Sequence, residues 1–242
     1  MPGYGIKGKL QLCKLEDIAT IGPDGRDIHD GFDVMETVTP YPTWWGHKSE
    51  ESSKMGLEPN KFLAPVHTAK IGRPMRKLSD LWPKAGRVLM SSRIWLTTGR
   101  VVSVRLSTPV LSNVWWPILL KITSSPEMME KALTLWLNST LSLFILLSNR
   151  QDTRGAWVQF KKPILSGLPI LDLRALTPDQ LSALAAAYDR LSTQTLQPLP
   201  RMAQDETRAA IDAAISATLG LPDLTLLRTM LAHEPVITMK RL

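Results

Sequence analysis

Cysteine is almost absent from this sequence of 242 residues, since Cys13 is the only one. A single thiol excludes an internal disulfide framework and a cysteine-based zinc site, and it suits a reducing compartment. The four histidines are scattered, with no ligand spacing between them. We therefore expect no structural or catalytic metal ion.

The motifs of the common DNA-modifying enzymes are also missing. Adenine methylation needs an Asn/Asp-Pro-Pro-aromatic tetrapeptide, and the common restriction-nuclease site needs Asp/Glu-x-Lys to hold magnesium. Neither occurs, nor does a Gly-x-Ser-x-Gly elbow or a Gly-Lys-Ser/Thr phosphate loop. A G-x-G-x-x-G pattern at residues 3–8 has no room for a preceding strand, so we interpret it as a flexible start. We expect no catalytic site and no cofactor.

Long apolar runs are few. The longest, residues 132–147, is interrupted by polar side chains and is shorter than the roughly 20 residues that a membrane span needs. It is predicted to be a helix buried in protein. The first residues lack a basic stretch followed by an apolar one, so no signal peptide is expected. These features predict a cytoplasmic protein without a membrane partner.

The protein is strongly basic, with a net charge of +7 and a pI of about 9.6. A basic surface attracts nucleic acid or anionic membranes, although many basic proteins bind no nucleic acid. Charge alone therefore leaves both alternatives open.

The pattern of elements predicts an α+β protein in two regions. Residues 1–124 are expected to be β-rich, with a strand over 10–18, a turn at 22–25, an extended loop over 39–65 and a hairpin of strands 88–96 and 101–106. Residues 125–242 are expected to be mainly helical, forming a scaffold or docking region.

The helical region carries clear start signals. Ser125 before Pro126 predicts a helix toward residue 148. Thr177 and Gln180 fit a capping box, and Asp205 is expected to cap a third helix. The second helix shows an apolar stripe, interpreted as internal packing or as a partner surface: Leu181, Leu184, Tyr188 and Leu191.

Basic side chains concentrate between residues 70 and 105, where Asp80 is the one acidic residue. Lys and Arg neutralise phosphates, and an arginine can grip guanine with two hydrogen bonds. The alternative is a solvated basic face around a sheet. The candidate DNA-binding residues are Lys70, Arg73, Arg76, Lys77, Arg87, Arg93, Arg100 and Arg105, of which Arg93, Arg100 and Arg105 are favoured for the DNA face.

A second basic cluster could extend this surface, although the stronger interpretation places its aromatic residues in the core. It comprises Arg150, Arg154, Lys161 and Lys162 around Trp157 and Phe160. Two tandem tryptophan pairs, at 44–45 and 115–116, could stack on bases. Such pairs more often place one ring in the core and one at the surface.

Three segments together resemble the target-recognition region of bacterial restriction–modification proteins. LCKLEDIATIG at 12–22 is similar to the opening of such domains, LWLNSTL at 135–141 to their leucine-asparagine-serine helix, and KKPILSGLPI at 161–170 to a strand ending in leucine-proline-isoleucine. The resemblance is to the C-terminal part of large N6-adenine DNA methyltransferases and runs from about residue 10 to 231.

This resemblance implies a mixed-sheet recognition domain followed by helices that dock on a methyltransferase. Because the catalytic half of the family is missing, the chain would be a fragment or a separate subunit. The expected partners are double-stranded DNA and a methyltransferase catalytic domain or subunit. The alternative is a protein–protein adaptor of a defence complex without direct DNA contact.

Overall fold

The computed structural model describes residues 10–46, 48, 50–69, 71–150 and 157–238. Lys70, Arg154 and the glycine pattern at 3–8 lie outside these ranges. The strands of the described residues are β1 (Leu12–Lys14), β2 (Ala19–Ile21), β3 (Phe32–Met35), β4 (Pro42–Trp44), β5 (Gly56–Leu57), β6 (Lys61–Pro65), β7 (Gly86–Ser91), β8 (Arg93–Trp95), β9 (Ser103–Ser112), β10 (Trp115–Leu120), β11 (Trp157–Gln159) and β12 (Pro169–Leu171).

The α-helices of the same residues are α1 (Leu15–Ile18), α2 (Gly25–Gly31), α3 (Leu78–Leu81), α4 (Pro126–Leu137), α5 (Thr140–Ser148), α6 (Lys162–Ser166), α7 (Pro178–Leu191), α8 (Glu206–Leu219), α9 (Thr225–Ala232) and α10 (Pro235–Thr238). The predicted α+β class is confirmed.

A mixed sheet forms the centre, in the strand order β2-β10-β7-β9-β4-β6-β3, with β5 also pairing β9. The β4–β9 and β5–β9 pairs are parallel and the others are antiparallel. Val88, Leu89 and Met90 are all fully buried, so β7 is covered on both faces. Such a continuous apolar run is typical of a strand inside a sheet rather than at its edge.

The predicted hairpin is confirmed for residues 88–91 of its first strand and 103–106 of its second. β7 and β9 pair in antiparallel fashion, with Leu89 opposite Val104. Beyond Ser91 the prediction is wrong, because the chain leaves the sheet and β8 pairs with β11 instead. Trp95 then lies opposite Trp157, with ring centroids 5.1 Å apart. This long-range pairing has no signal in the local sequence.

Two other predictions for the first region need correction. The strand over 10–18 ends at Lys14, because residues 15–18 form the helical turn α1, where the Asp17 carboxylate accepts a hydrogen bond of 2.9 Å from the Lys14 amide. The extended loop over 39–65 contains the strands β4, β5 and β6. Proline and glycine residues are rare inside strands, so their frequency in that segment favoured a loop over three short strands.

The apolar run after Ser125 forms two helices rather than one. The side-chain amide of Asn138 accepts a hydrogen bond of 2.8 Å from the Val102 amide and donates one of 2.7 Å to the Ser103 carbonyl, which ends α4. Ser139 then caps α5 through the Ser142 amide. Among the described residues no single helix is long and apolar enough to cross a membrane, although α4 and α5, bent by 68°, together have the necessary length and composition.

The remaining helix signals are confirmed. Thr177 and Gln180 form the capping box of α7, whose predicted apolar stripe is buried. Asp205 caps α8 by accepting a hydrogen bond from the Arg208 amide, and Gly220 ends that helix with a positive φ of 63°.

One large hydrophobic cluster contains residues from both predicted regions. α4 lies under β7 and β9, while β11 and β12 of the second region pair with β8 and β1 of the first. The division at residue 124 stays a prediction.

Candidate nucleic-acid interface

The predicted basic residues fall into separate environments. Arg73 and Arg76 form ion pairs with Asp30 and Asp27 of α2, with N–O distances of 3.0 and 2.8 Å. Their guanidinium groups stay about half exposed. Lys77 is exposed at the start of α3. Lys70 lies outside the described residues.

Arg87 and Arg105 were expected to face open solvent, but both are turned toward α4. Both guanidinium groups lie against the carboxylate of Glu130 on α4, each with an Nε–Oε2 distance of 3.0 Å. The Arg105 side chain is only 11% exposed and also lies 3.6 Å from Glu127. These two arginines attach the sheet to the helical region, so the expectation that they join one continuous DNA-facing surface is corrected.

Arg100 is also held by the protein. Its Nη1 donates a hydrogen bond of 2.9 Å to the Leu196 carbonyl, and its own carbonyl accepts one of 2.6 Å from Arg208. Arg93, in contrast, is exposed on β8. Of the three arginines favoured for the DNA face, the structure therefore places Arg93 at an open surface and turns Arg100 and Arg105 toward internal partners.

Arg93 lines an open cleft with a volume of about 570 Å³. Its walls come from four segments of the chain: the start of α2, the β7–β8 junction, the β9–β10 turn, and the segment joining β11 to α6. Among the residues that the structure describes, four cationic side chains line it: Arg26, Arg93, Lys161 and Lys162. The cleft is also lined by the aromatic rings of His29 and Trp116 and the amides of Asn113 and Gln159.

Backbone pairing fixes the side of the cleft that carries Arg93, Lys161 and Lys162. Arg93 lies directly opposite Gln159 in the β8–β11 pair, and the Phe160 amide donates a hydrogen bond of 3.0 Å to the Ser92 carbonyl. The Ser92 amide in turn donates one of 3.1 Å to the Val114 carbonyl. Three chain segments are thus joined at one point, so the positions of Arg93 and of the neighbouring lysines are tied to the sheet.

The other wall depends on a close backbone approach. A Cβ atom at Gly25 would lie 2.1 Å from the carbonyl oxygen of Asn113, a contact that only glycine avoids. The Asn113 side chain accepts a hydrogen bond of 3.1 Å from the Gly46 amide. The start of α2, which carries Arg26, is therefore packed directly against the β9–β10 turn.

The electrostatic balance of the cleft is positive. The carboxylate that lines it belongs to Asp24, and it accepts hydrogen bonds from the backbone amides of Arg26 and Asp27 at 2.8 and 3.1 Å. Lys162 donates a hydrogen bond of 3.3 Å to the Gly22 carbonyl, and its side chain remains exposed. The arrangement suits a polyanion, with lysines for phosphates and a guanidinium or amide for base edges.

The tandem tryptophans follow the more frequent pattern. Trp44 and Trp115 are buried, whereas Trp45 and Trp116 are partly exposed. Trp116 lines the cleft, and the indole nitrogen of its side chain has no hydrogen-bond partner among the described residues. In the second basic cluster, Phe160 is core and both lysines line the cleft.

Sequence reasoning missed four cleft residues: Arg26, His29, Asn113 and Gln159. The local signal for the first two was Asp24, a capping residue that begins α2 and that had been interpreted as part of a turn. No local signal indicates the other two, since tertiary pairing brings them there. Within the described ranges, no three His, Cys, Asp or Glu side chains lie together as metal ligands.

No protein-family model matches the chain. A search of curated proteins also finds no match. Among solved structures, the chain is similar to the type IIG restriction endonuclease BpuSI, with a TM-score of 0.52 over 93% of this chain and a sequence identity of 10%. The chain spans about a third of that protein, 32% of its length. At this identity the likeness shows a common fold.

Proposed function

We propose that this chain is a sequence-specific double-stranded-DNA recognition module of a restriction–modification or phage-defence system, working with an adenine methyltransferase and carrying no catalytic site of its own. The observation that carries the proposal is the cleft, where Arg26, Arg93, Lys161 and Lys162 converge from distant segments. Unlike Arg87 and Arg105, these cations are exposed.

The chemistry of the cleft divides into two tasks. Lys161 and Lys162 act as point charges for DNA phosphates and so position the duplex. Arg93 offers a planar guanidinium that can donate two hydrogen bonds to guanine, while Asn113 and Gln159 have the side-chain amide that pairs with adenine. The cleft therefore combines positioning and reading groups within one surface.

Two of the segments that resemble target-recognition regions are partners in space. β1, from the first segment, pairs with β12, which begins at the end of the third, with Cys13 opposite Ile170. The asparagine of the middle segment, Asn138, fixes the α4–α5 bend against the backbone of Ser103. These structural roles, together with the fold likeness to a restriction endonuclease, support the assignment to a restriction–modification system.

Fluorescence anisotropy with a labelled random-sequence duplex tests the proposal. We expect binding that weakens steeply between 50 and 200 mM salt, by tenfold for roughly every two phosphates neutralised, because bound cations displace counterions from DNA. The double variant Lys161→Ala/Lys162→Ala is expected to lower the slope of log K against log salt by about 2. The matched control is Lys54→Ala/Lys61→Ala, at lysines that do not line the cleft.

The second candidate function is a protein–protein adaptor, which a different surface favours. Leu226 and Met230 lie one turn apart on α9 and are 72% and 62% exposed, and Phe144 of the neighbouring α5 is 45% exposed. Contiguous exposed apolar residues often mark protein contacts. Absence of duplex binding at low salt, together with salt-insensitive association with a co-expressed methyltransferase, would favour the adaptor.

A further inference from the structure

The loop between β6 and α3, residues 67–75, is rooted on α2. The Val66 amide donates a hydrogen bond of 3.0 Å to the Gly31 carbonyl, and the Arg76 amide donates one of 3.3 Å to the Asp30 carbonyl. The guanidinium of Arg73 forms an ion pair of 3.0 Å with the Asp30 carboxylate. Both ends of the loop are thus fixed, and residues 71–75 between them are exposed.

Ile71 belongs to this exposed part of the loop, and its relative exposure is 104%. Gly72 follows with a φ of +73°, a turn conformation that glycine adopts without strain, and a Cβ there would meet no atom within 4 Å. Met75 of the same loop is 42% exposed. The Ile71 side chain is therefore free to contact a partner, and the residues around it indicate which kind.

The charge around Ile71 indicates the kind of partner. The sequence from 67 to 77 holds Lys70, Arg73, Arg76 and Lys77 and no acidic residue. The guanidinium groups of Arg73 and Arg76 remain about half exposed although they pair with α2. An apolar side chain flanked by cations is complementary to duplex DNA, whose stacked base faces are apolar and whose grooves are lined at their rims by phosphates.

We propose that this loop enters the minor groove of duplex DNA and that Ile71 acts as an apolar wedge between two base pairs. Side chains such as Ile, Leu and Met partly unstack a base step when they insert, and the duplex kinks by about 20–90°. The cations of the loop then lie against the two flanking phosphate strands. This inference rests on the proposed DNA-binding function and adds a bent geometry to it.

α2 links the anchor of the loop to the cleft. α2 has seven residues and is about 10 Å long at 1.5 Å per residue. Its first turn carries Arg26 at the cleft, and its last residues, Asp30 and Gly31, hold the loop. The separation is well within one helical turn of DNA, about 34 Å.

The test uses the full chain with Ile71→Ser, the conservative variant Ile71→Leu, and the matched control Val38→Ser, at another loop residue that is 82% exposed. Two probes are measured at low salt: a random-sequence 30-base-pair duplex with fluorophores at both ends, and the same duplex carrying one central mismatch. Since Ile71 is fully exposed, unchanged thermal melting is expected for all three variants.

The wild-type protein is expected to raise energy transfer between the duplex ends and to bind the mismatched duplex about tenfold more tightly, because a mismatched step is already partly unstacked. Ile71→Ser should lose both effects while keeping salt-dependent binding, and Ile71→Leu and Val38→Ser should keep all three. If Ile71→Ser bends and prefers the mismatch as the wild type does, the wedge is overturned and DNA binding stands, leaving the loop as a surface for a protein partner. If the wild type binds neither duplex, both proposals are overturned.

Discussion

The guanidinium group of Arg208 donates a hydrogen bond of 2.8 Å to the backbone carbonyl of Asn138. Its other terminal nitrogen donates one of 2.6 Å to the Arg100 carbonyl, and its Nε lies 3.7 Å from the Asp205 carboxylate. The side chain is completely buried, and this burial lowers the pKa of Arg208. A single cation therefore joins the start of α8, the α4–α5 bend and the segment before β9.

Replacing this cation should destabilise the whole fold. Arg208→Met keeps much of the side-chain volume, but it leaves the carbonyl groups of Asn138 and Arg100 without their donor and Asp205 without the positive charge beside it. We expect the free energy of unfolding in urea to fall by about 3–5 kcal/mol. The control is Arg201→Met, at an exposed arginine of the 3₁₀ helix Leu199–Gln204 that precedes α8. This variant should change the free energy of unfolding by less than about 0.5 kcal/mol. A loss below about 1 kcal/mol for Arg208→Met would show that the buried cation is dispensable.

Arg93 and Arg105 should separate DNA binding from stability. Arg93→Ala removes an exposed cleft cation, so duplex affinity should fall about tenfold while the unfolding free energy stays within about 0.5 kcal/mol of the wild type. Arg105→Ala removes a mostly buried partner of Glu130, so stability should fall by about 1–3 kcal/mol with duplex affinity unchanged below the unfolding transition. Anisotropy and urea unfolding measure the two effects, and the opposite assignment of losses would contradict the cleft as the interface.

The capping box of α7 gives a local stability prediction. Thr177→Ala removes the hydroxyl that accepts a hydrogen bond of 3.2 Å from the Gln180 amide, so the unfolding free energy should fall by about 1 kcal/mol. For a chain of this length the melting temperature should fall by about 2–4 °C in a thermal scan. Thr193→Ala, at an exposed threonine in the turn after α7, is the matched control. Equal shifts for the two variants would contradict a stabilising cap.

The raised pKa of Tyr188 leads us to expect a loss of stability at high pH. Burial on α7 raises the pKa of this phenol to about 12 from its ordinary value of 10.0. Between these values the folded chain keeps a proton that the unfolded chain has released, so this contribution to stability is present below pH 10 and falls as pH rises toward 12. The loss is on the order of 2–3 kcal/mol.

The measurement is urea unfolding of the wild type and Tyr188→Phe between pH 9 and 12. The phenylalanine variant has no phenol to titrate, so its stability should decline less over this range. Parallel declines in the two proteins would indicate that Tyr188 titrates near its ordinary pKa and that other groups, such as lysines, account for the alkaline loss.

Short-range signals in the sequence predicted local structure well. Asp205 and Thr177 each accept a hydrogen bond from the amide three residues further on, so their capping roles follow from spacing alone. Asn138 shows where this reasoning ends. The sequence predicts one helix through it, but its amide finds partners on Val102 and Ser103, and that tertiary competition ends α4.

The basic residues show the same limit for the site. Composition could not separate Arg105, whose partner Glu130 lies on another element, from Arg93, which lies at an open surface. Nor could it join Arg93 with Lys161, since that proximity depends on the β8–β11 pairing. The surface expected from one stretch of sequence is instead divided between a loop, an ion-pair network and a cleft.

The β8–β11 pair also affects how the chain reaches this structure. It closes a long loop between Ile94 and Val158, and the β1–β12 pair encloses more than half of the chain between Cys13 and Ile170. Loop-closure entropy must be overcome before such contacts stabilise anything, so high contact order predicts slow folding. A nascent chain that has left the ribosome only as far as β10 lacks the strand that brings Lys161 beside Arg93. The cleft therefore becomes complete only after synthesis has passed well beyond its first wall.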